Sequence, residues 1–270
     1  MKKYILLIIL FSEINILATA QPFDPSLFNS MKWRMIGPHR GGRTVGAVGV
    51  PQQPNVFYIG VNNGGVWKTT DYGRTWFPIF DGQSTGSIGT ITVAPSNPDI
   101  IYVGSGEGLH RPDLSTGNGI YKSTDAGKTW MHLGLQNGQQ IPKIAVDPKN
   151  PDRIFVAVLG HPYGPNEERG IYRSTNGGKT FEKILYKDEN TGGDDVTIDP
   201  HDPNIIFATL WESREGPWEN GAWSGTGAAF INQPMAVPRG KNCLRGYLKI
   251  WCRHILPLRH LLLLLLFMLP

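Results

Sequence analysis

The sequence contains very little cysteine. Its 270 residues include two cysteines, Cys243 and Cys252, and both lie near the carboxyl end. Residues 21–230 contain none, so a disulfide framework is excluded there. That region must be held together by core packing, for which about 200 residues are sufficient. We do not interpret the two cysteines as a disulfide or as a metal-binding pair.

Long apolar runs and helical periodicity are equally scarce. The six-leucine run at 261–266 is much shorter than the roughly 20 residues that a membrane span needs, so we expect no stable span. The glycine-rich stretch at 104–108 precedes a loop and a further strand instead of a helix, so it lacks the context of a phosphate cradle. No Gly-x-Ser-x-Gly elbow precedes a helix either. We therefore predict no cofactor.

Acidic residues are missing from residues 231–270, and this skews the charge of the whole chain. The formal net charge is +4, but the rest of the chain is mildly acidic once this segment and the amino-terminal residues are set aside. The basic excess therefore does not indicate a nucleic-acid-binding surface, and we predict no nucleic-acid partner.

The amino terminus has the pattern of a secretory signal peptide. Lys2 and Lys3 precede an apolar stretch at 4–11, and small residues at 18–20 form a cleavage site before Gln21. The alternative is a buried amino-terminal strand. The pattern predicts a signal peptide at residues 1–20, cleaved after Ala20. The mature protein is then secreted, periplasmic or on the outer surface.

What the sequence does contain is one phrase repeated three times, at an interval of about 50 residues. The copies at 68–76, 122–130 and 173–181 follow the pattern Ser/Thr-x-Asp/Asn-x-Gly-x-Thr-aromatic, which is the Asp-box. The Asp or Asn of such a turn accepts hydrogen bonds from nearby N–H groups. We assign the box a structural role, because catalysis needs one unique constellation instead of identical copies.

Each box also predicts a glycine with positive φ, and an aromatic ring that packs against the next blade. The residues given these structural roles are Asp71, Gly73, Trp76, Asp125, Gly127, Trp130, Asn176, Gly178 and Phe181.

A second phrase alternates with the first, as at 91–103 and 144–156, and reads as a strand, a Pro/Asn/Asp turn and another strand. Together with the Asp-box it makes one four-stranded blade. We therefore predict an all-β fold, a β-propeller of four-stranded Asp-box blades at residues 21–230. The propeller is truncated to about three and a half blades, and the fourth blade begins at Asp195 and lacks its box.

Residues 231–270 are predicted to be an out-of-frame tail and not a domain. Read from the third base of codon 231, the codons of residues 231–243 permit Lys-Ser-Thr-Asp-Gly-Gly-Thr-Thr-Trp-Lys-Lys-Leu, a fourth Asp-box. The codons of Met235 and Ala236 force a glycine of this box, and those of Asn242 and Cys243 force its leucine. Our hypothesis is a frameshift near Phe230 in the gene of a longer protein. The alternative is a genuine basic, Leu-rich segment such as a membrane anchor.

Three longer phrases carry a family resemblance. They are Trp-Arg-Met-Ile-Gly-Pro-His-Arg-Gly-Gly-Arg at 33–43, Gly-Val-Asn-Asn-Gly-Gly-Val-Trp at 60–67 and Leu-Gly-His-Pro-Tyr-Gly-Pro-Asn-Glu-Glu-Arg-Gly at 159–170. With the boxes they resemble bacterial secreted Asp-box propellers, which are grouped with the sortilin amino-terminal domain and, more loosely, with xyloglucanase-type glycoside hydrolases. The resemblance covers residues 31–230. Sialidases share the Asp-boxes, so the boxes alone do not fix a function.

The resemblance implies a test of catalysis. Xyloglucanases have a catalytic aspartate before a Gly-Gly pair on an early strand, and the matching stretch here places Asn62 at that position. Glycoside hydrolysis uses two carboxyl groups, and an amide cannot take a proton from water. Glu107 and Glu212 are the carboxylates left as catalytic candidates. We predict a non-catalytic extracellular module that binds or scaffolds protein, peptide or polysaccharide. The alternative is a glycoside hydrolase of the xyloglucanase or sialidase type.

The remaining binding candidates lie in the loops between the second and third strands of the blades, where binding groups are often found. Aromatic side chains there could stack on sugars or anchor a peptide, and Arg40 and Arg43 could recognise a carboxylate. His110 with Asp113 lacks a specific ligand spacing, and we predict no metal site. The binding candidates are Asn62, Asn63, His110, Arg111, Asp113, His161, Tyr163 and Trp218.

Overall fold

The computed structural model describes residues 24–31, 42–108, 114–215 and 223–234, and the chain divides into two compact units, Met1–His39 and Arg40–Pro270. The described part of the first unit is a short 3-10 helix, Pro25–Phe28, which Asp24 caps by accepting the Ser26 N–H at 2.9 Å. The predicted signal peptide and both cysteines lie outside the described residues. Within the described ranges, no helix is both long enough and apolar enough to cross a membrane.

The second unit contains sixteen described strands in four antiparallel sheets. The first sheet is β1 (Thr44–Val50), β2 (Gln53–Val61), β3 (Gly65–Thr69) and β4 (Phe77–Pro78). The second is β5 (Ile88–Ala94), β6 (Asn97–Ser105), β7 (Ile120–Ser123) and β8 (Met131–Gly134). The third is β9 (Lys143–Val146), β10 (Ile154–Val158), β11 (Gly170–Ser174) and β12 (Glu182–Leu185). The fourth is β13 (Thr191–Ile198), β14 (Ile205–Arg214), β15 (Trp223–Ser224) and β16 (Ala229–Pro234).

The hydrophobic core lies between neighbouring sheets. One buried cluster joins the first and second sheets, another the second and third, and another the third and fourth. The first strands also contact one another in series, β1 with β5, β5 with β9 and β9 with β13. Each sheet is therefore a blade with its first strand innermost, which confirms the predicted all-β propeller.

The fourth blade differs from the sequence-based prediction. We expected it to begin at Asp195, but β13 begins at Thr191 and pairs with β14 from Thr191–Glu212 to Ile198–Ile206. β16 pairs with β14 along its length and takes the place that the third strand has in the other blades. This strand also crosses the boundary that we drew at Phe230.

The Asp-box turns have the predicted local geometry. Asp125 Oδ1 accepts the Thr129 N–H at 2.8 Å and Oδ2 accepts the Thr129 hydroxyl at 2.6 Å, while the Gly127 N–H binds Ser123 Oγ at 2.8 Å. Asp71 repeats this pattern in the first blade. The three box glycines, Gly73, Gly127 and Gly178, have φ values of 85°, 88° and 90°. The Asp71 and Asp125 carboxylates are thus bonded within their own turns.

The third box keeps the same network with an amide. Asn176 Oδ1 accepts the Thr180 N–H at 3.0 Å, and its Nδ2 donates to Thr180 Oγ1 at 2.8 Å. The Thr129 hydroxyl donates to Asp125 in the second box, whereas the equivalent Thr180 hydroxyl accepts from Asn176 in the third. The turn is therefore held by an uncharged residue in this box.

The rings of the second and third boxes pack against the preceding blade and not the next one, so our expectation about their direction was wrong. The Trp130 indole N–H donates to the Ile79 carbonyl at 2.7 Å, and its ring meets Phe80 edge-on at 5.1 Å. Phe181 packs against the core between the second and third blades. Each of these rings lies beside the end of the preceding blade's fourth strand, at Ile79 in the first blade and at Leu133 in the second.

The first blade has no such cover among the described residues. The Trp76 indole N–H donates to its own box, at the Gly73 carbonyl, over 3.1 Å. Beside it lies an open apolar groove of about 370 Å³, whose lining includes Val48, Phe57 and Tyr72.

An acid-stability prediction follows from the charged boxes. Hydrogen bonds from Thr75 and Thr129 lower the pKa of Asp71 and Asp125 to about 2 from the usual 3.8. A lowered folded-state pKa stabilises the fold above about pH 4, and this stabilisation is lost as pH falls towards 2. We expect Asp125→Asn, which copies the third box, to reduce the loss of stability between pH 4 and pH 2. Urea midpoints at pH 5 and pH 2.5 would measure it.

The control for this prediction is Asp81→Asn, an exposed aspartate in the loop that follows the first blade. This variant should keep the acid sensitivity of the wild-type protein. Equal acid sensitivity of Asp125→Asn and the wild type would contradict the assigned role of the box carboxylate.

Candidate functional site

The two ends of the blades carry different kinds of residue. Because successive strands are antiparallel, the Asp-box turns and the turns after the first strands lie at one end, which we call the box end. The connections between the second and third strands lie at the other end, the loop end. All described catalytic and binding candidates are on strand ends or connections at the loop end, whereas the box aspartates are not.

Three candidates at the loop end of the first two blades form one group. Arg43, just before β1, accepts the Asn62 N–H on its carbonyl at 2.7 Å. Its guanidinium Nη2 lies 3.6 Å from Glu107 Oε2. The Glu107 side chain is fully buried, whereas that of Arg43 is 48% exposed. The structure therefore joins Asn62, Arg43 and Glu107, and it closes the Glu107 carboxylate off from solvent.

The backbone beside Glu107 is crowded and tightly bonded. The Gly106 N–H donates to the Ser87 carbonyl at 2.9 Å, and the Gly108 N–H donates to Gln140 Oε1 at 2.9 Å. Gln140 is itself buried at the start of the third blade. Glu107 is therefore held between the second blade and the connection that leads to the third.

The loop between β10 and β11 is held by a buried arginine. Arg169 is 1% exposed, and its Nη2 donates to the carbonyls of His161 at 2.9 Å and Gly164 at 3.2 Å. Burial lowers the pKa of Arg169 to about 10. Burial also lowers the pKa of His161, with a smaller contribution from the Arg169 charge. Tyr163 on the same loop is 47% exposed, so its ring is available for contact.

Glu212 lies next to this loop, near the end of β14. Its Oε2 accepts the Gly227 N–H at 2.6 Å. It lines a small cavity of about 140 Å³ together with Arg169, Ser213 and Arg214, and with Gly164 and Asn190. The half-buried Glu212 carboxylate is thus more open than that of Glu107.

The structure brings the predicted residues together in two groups, Asn62 with Glu107, and His161 with Glu212 through Arg169. Asn63 follows Asn62 in a left-handed conformation with φ of 57°. Four binding candidates, His110, Arg111, Asp113 and Trp218, lie outside the described residues, as does Arg40. Among the residues that the structure does describe, no cluster of three or more His, Cys, Asp or Glu could hold a metal ion.

Sequence reasoning missed three buried polar residues at the loop end, Gln140, Arg169 and Thr191. Arg169 falls within the phrase at 159–170, but its residue type alone does not distinguish a buried arginine from an exposed one. The nearby Gly160 is a usable signal. Its φ is +87°, and a Cβ there would lie 2.5 Å from Arg169 Cγ.

Comparisons with known proteins agree with this architecture. The family model for the sortilin Vps10 domain (sortilin, neurotensin receptor 3) matches residues 64–185. A xyloglucanase from Paenibacillus sp is 24% identical over 188 residues, and one from Hypocrea jecorina is 27% identical over 158 residues. These alignments cover 64% and 53% of this chain, but 17% and 18% of the respective relatives. The chain thus spans a small part of each curated relative.

A solved structure shares the fold. The crystal structure of an ancestral GH74 enzyme superposes with a TM-score of 0.52 and 18% identity, covering 71% of this chain and 25% of that one. At this identity the match shows the fold alone. Together, the similarities support a β-propeller of the sortilin- and xyloglucanase-like superfamily.

Proposed function

We propose, from its similarity to this superfamily, that the chain is part of an extracellular glycoside hydrolase of the xyloglucanase type, whose loop end holds a polysaccharide. The similarity to two xyloglucanases over more than half of the chain carries this proposal. It favours the hydrolase over the scaffold that the sequence alone suggested. The proposed signal peptide is consistent with a substrate outside the cell.

The position of the polar residues supports a glycan site at the loop end. The box carboxylates are fully used in their own turns at the box end, whereas Glu107, Glu212 and His161 are at the loop end. Hydrolysis requires two carboxyl groups that flank the glycosidic bond. In this chain Glu212 has the access that a proton donor or acceptor needs, and Glu107 is an enclosed anion beside Arg43.

A second candidate function is glycan binding without turnover. Asn62 has an amide at the position where the resemblance implies a catalytic aspartate, and its side chain is buried. Glu107 is closed off from solvent, which leaves Glu212 as the accessible carboxylate of the two candidates. This arrangement fits a loop end that recognises a polysaccharide and leaves it intact.

Reducing-end release from xyloglucan, mixed-linkage β-glucan and cellulose by the purified chain would test both functions. A hydrolase should release ends, and Glu212→Gln should lower kcat by about 100-fold or more. The matched control is Glu182→Gln, an exposed fourth-strand carboxylate beside Arg173, which should keep full activity. Retention of a polysaccharide without release would support the binding module. A protein that neither retains nor cleaves any of the three would contradict both functions.

A further inference from the structure

Each blade has two faces, one towards the preceding blade and one towards the next, which we call its preceding face and its following face. Alternate residues of a strand point to opposite faces of its sheet. In the second blade Ile101 and Val103 pack in the core shared with the first blade, whereas Tyr102 packs in the core shared with the third. Four blades in series make three such junctions. The preceding face of the first blade and the following face of the fourth are therefore not covered by another described blade.

The preceding face of the first blade is open and apolar. Across the sheet Phe57 pairs with the first box hydroxyl, on Thr69, which is the place that Ile101 has in the second blade. Phe57 is 38% exposed, however, whereas Ile101 is 0% exposed. With Tyr72 and Trp76 it lines the groove of about 370 Å³, whose lining residues are all uncharged. Covering such a surface is favourable, and exposed apolar patches mark contact sites.

The internal junctions show what kind of surface packs on a preceding face. The carbonyl of the fourth box residue accepts hydrogen bonds from the blade before it. Ala126 accepts them from the Tyr58 hydroxyl at 3.3 Å and from Lys68 Nζ at 3.1 Å. Tyr72 has this position in the first box and the same left-handed backbone, with φ of 62° against 57° for Ala126. The first blade therefore has the surface that receives a blade with an aromatic ring on its following face.

The following face of the fourth blade carries such a ring. Ile206 and Ala208 pack in the core shared with the third blade, so Phe207 between them lies on the opposite face. Phe207 pairs across the sheet with the exposed Thr197. The corresponding cross-strand pairs of the first three blades are Val48 with Tyr58, Thr92 with Tyr102 and Ala145 with Phe155. The aromatic residue of each of those pairs packs in the core shared with the next blade. The first and fourth blades thus carry the two halves of one junction.

We propose that two copies of this chain associate head to tail, with the fourth blade of each copy covering the groove on the first blade of the other. A second copy is the occupant because it carries the matching half of a junction that the chain already makes three times. A contact between two different surfaces leaves none of them open only when it closes into a ring. Two copies supply eight blades, within the range of about four to eight that propellers have.

This contact is weaker than a junction within the chain. In the first junction a Cβ on Gly127 would lie 2.6 Å from Cδ1 of Ile79, the residue directly after β4. Within the described residues of the fourth blade no strand corresponds to β4. We therefore expect a reversible association that follows protein concentration, with a monomer in dilute solution. The inference does not depend on whether the chain cleaves a glycan.

The test is sedimentation equilibrium of the purified intact chain. Over about a hundredfold range of concentration, the average mass should rise towards twice that of the monomer, as mass action requires. Phe57→Glu on the preceding face and Thr197→Glu on the following face should each weaken association about tenfold or more, because each places a charge in an apolar contact. The matched control is Met131→Glu, at an exposed residue of the second blade, whose two junctions lie within the chain. This variant should associate like the wild type.

Mixing the two glutamate variants distinguishes a head-to-tail contact from a symmetric one. The mixture contains an unaltered preceding face on one copy and an unaltered following face on the other, so it should associate more strongly than either variant alone. A symmetric contact between two first blades would be weakened by Phe57→Glu and left intact by Thr197→Glu. Tyr72→Glu, at a 67% exposed residue of the same groove, replaces Phe57→Glu if the urea midpoint of that variant in dilute solution is lowered.

Each outcome decides the proposal. A dimer that both variants weaken and that their mixture restores supports it. A monomer at every concentration, or an average mass above that of two copies, would overturn it. Wild-type association by Thr197→Glu, or by the groove variant, would also overturn it, as would a mixture that associates no better than its components.

Discussion

Replacing Gly106 with alanine is expected to lower the free energy of unfolding by about 4 kcal/mol or more, a loss at the high end for a single substitution. Gly106 has φ of +83°, and a Cβ there would lie 1.7 Å from the Gln139 carbonyl oxygen and 2.9 Å from Gln140 Cα. A non-glycine residue in this conformation costs about 1–3 kcal/mol by itself. The backbone overlap adds to that cost, because the Gln139 carbonyl cannot move without losing the Gly117 N–H that it accepts at 2.8 Å.

Urea unfolding of the purified chain would measure this effect. The matched control is Gly82→Ala, since a Cβ at Gly82 meets nothing within 4 Å and its φ is not in the left-handed region. This variant should be neutral or stabilise by up to about 1 kcal/mol, because alanine restricts the unfolded chain. Equal stability of Gly106→Ala and Gly82→Ala would contradict the close packing between the second and third blades.

Completing the fourth Asp-box is expected to raise the free energy of unfolding by about 4 kcal/mol. The change replaces residues 232–243 with Lys-Ser-Thr-Asp-Gly-Gly-Thr-Thr-Trp-Lys-Lys-Leu, the sequence that the shifted reading frame permits. A tryptophan that buries about 150 Å² of apolar surface, at about 25 cal/mol per Å², accounts for this amount. The gain depends on whether the fourth blade presents the strand positions that a box needs.

The register of β16 supplies those positions. In the second and third blades the first box hydroxyl pairs across the sheet as Ser123 with Ile101 and Ser174 with Ile154. In the fourth blade the corresponding isoleucine, Ile206, pairs with Gln233. One base missing from codon 231 would place the box serine at position 233. The proposed frameshift and the strand register therefore agree to the residue.

A second repeated position agrees with the same frame. The residue three places after each box aromatic is aliphatic. In the first and second blades this residue is Ile79 and Leu133, and each lies against the box of the next blade. A Cβ on Gly127 would lie 2.6 Å from Ile79 Cδ1, and one on Gly178 would lie 2.3 Å from Leu133 Cδ1. Ile184 has this position in the third blade. The shifted frame ends in a leucine three places after its tryptophan.

Two measurements check the fourth box. The same twelve-residue replacement with serine in place of its tryptophan keeps the turn and removes the ring, so it should recover at most a small part of the added stability. Nucleotide sequencing of the gene from codon 225 onward should show codons that spell the box in the shifted frame. Codons that do not spell it, or a full replacement no more stable than the natural chain, would contradict the frameshift proposal.

Local geometry in this protein could be predicted from the sequence because it depends on residues close together in the chain. The Asp-box joins Ser123, Asp125, Gly127 and Thr129 within one turn, so its hydrogen bonds follow from residue type and spacing. Strand positions follow in the same way from β-branched runs bounded by proline and asparagine turns. The repetition of these units then gives the blade and the propeller.

The candidate site could be predicted only in part, since its contacts join distant segments. From the sequence we expected Glu107 to be a carboxylate on a loop. In the structure its side chain is buried and forms an ion pair with Arg43 between the first and second blades. The sequence analysis did not select Arg169, because its burial depends on the path of the loop at 159–170. The direction in which Trp130 packs depends on how neighbouring blades are arranged. A pattern of residue types carries no information about that arrangement.

The contact of Trp130 with Ile79 has a consequence for how the molecule loses its structure. Since Trp130 and Phe181 contact the blade before their own, part of the stability of the second and third blades comes from contacts with a neighbouring blade, as in a one-dimensional chain of coupled units. The second and third blades each have a neighbour on both sides, whereas the face of the first blade beside Trp76 has none within the described residues. Amide hydrogens of β2 and β3 should then exchange with solvent faster than those of β6 and β10, and this gradient orders the opening of the blades along the chain.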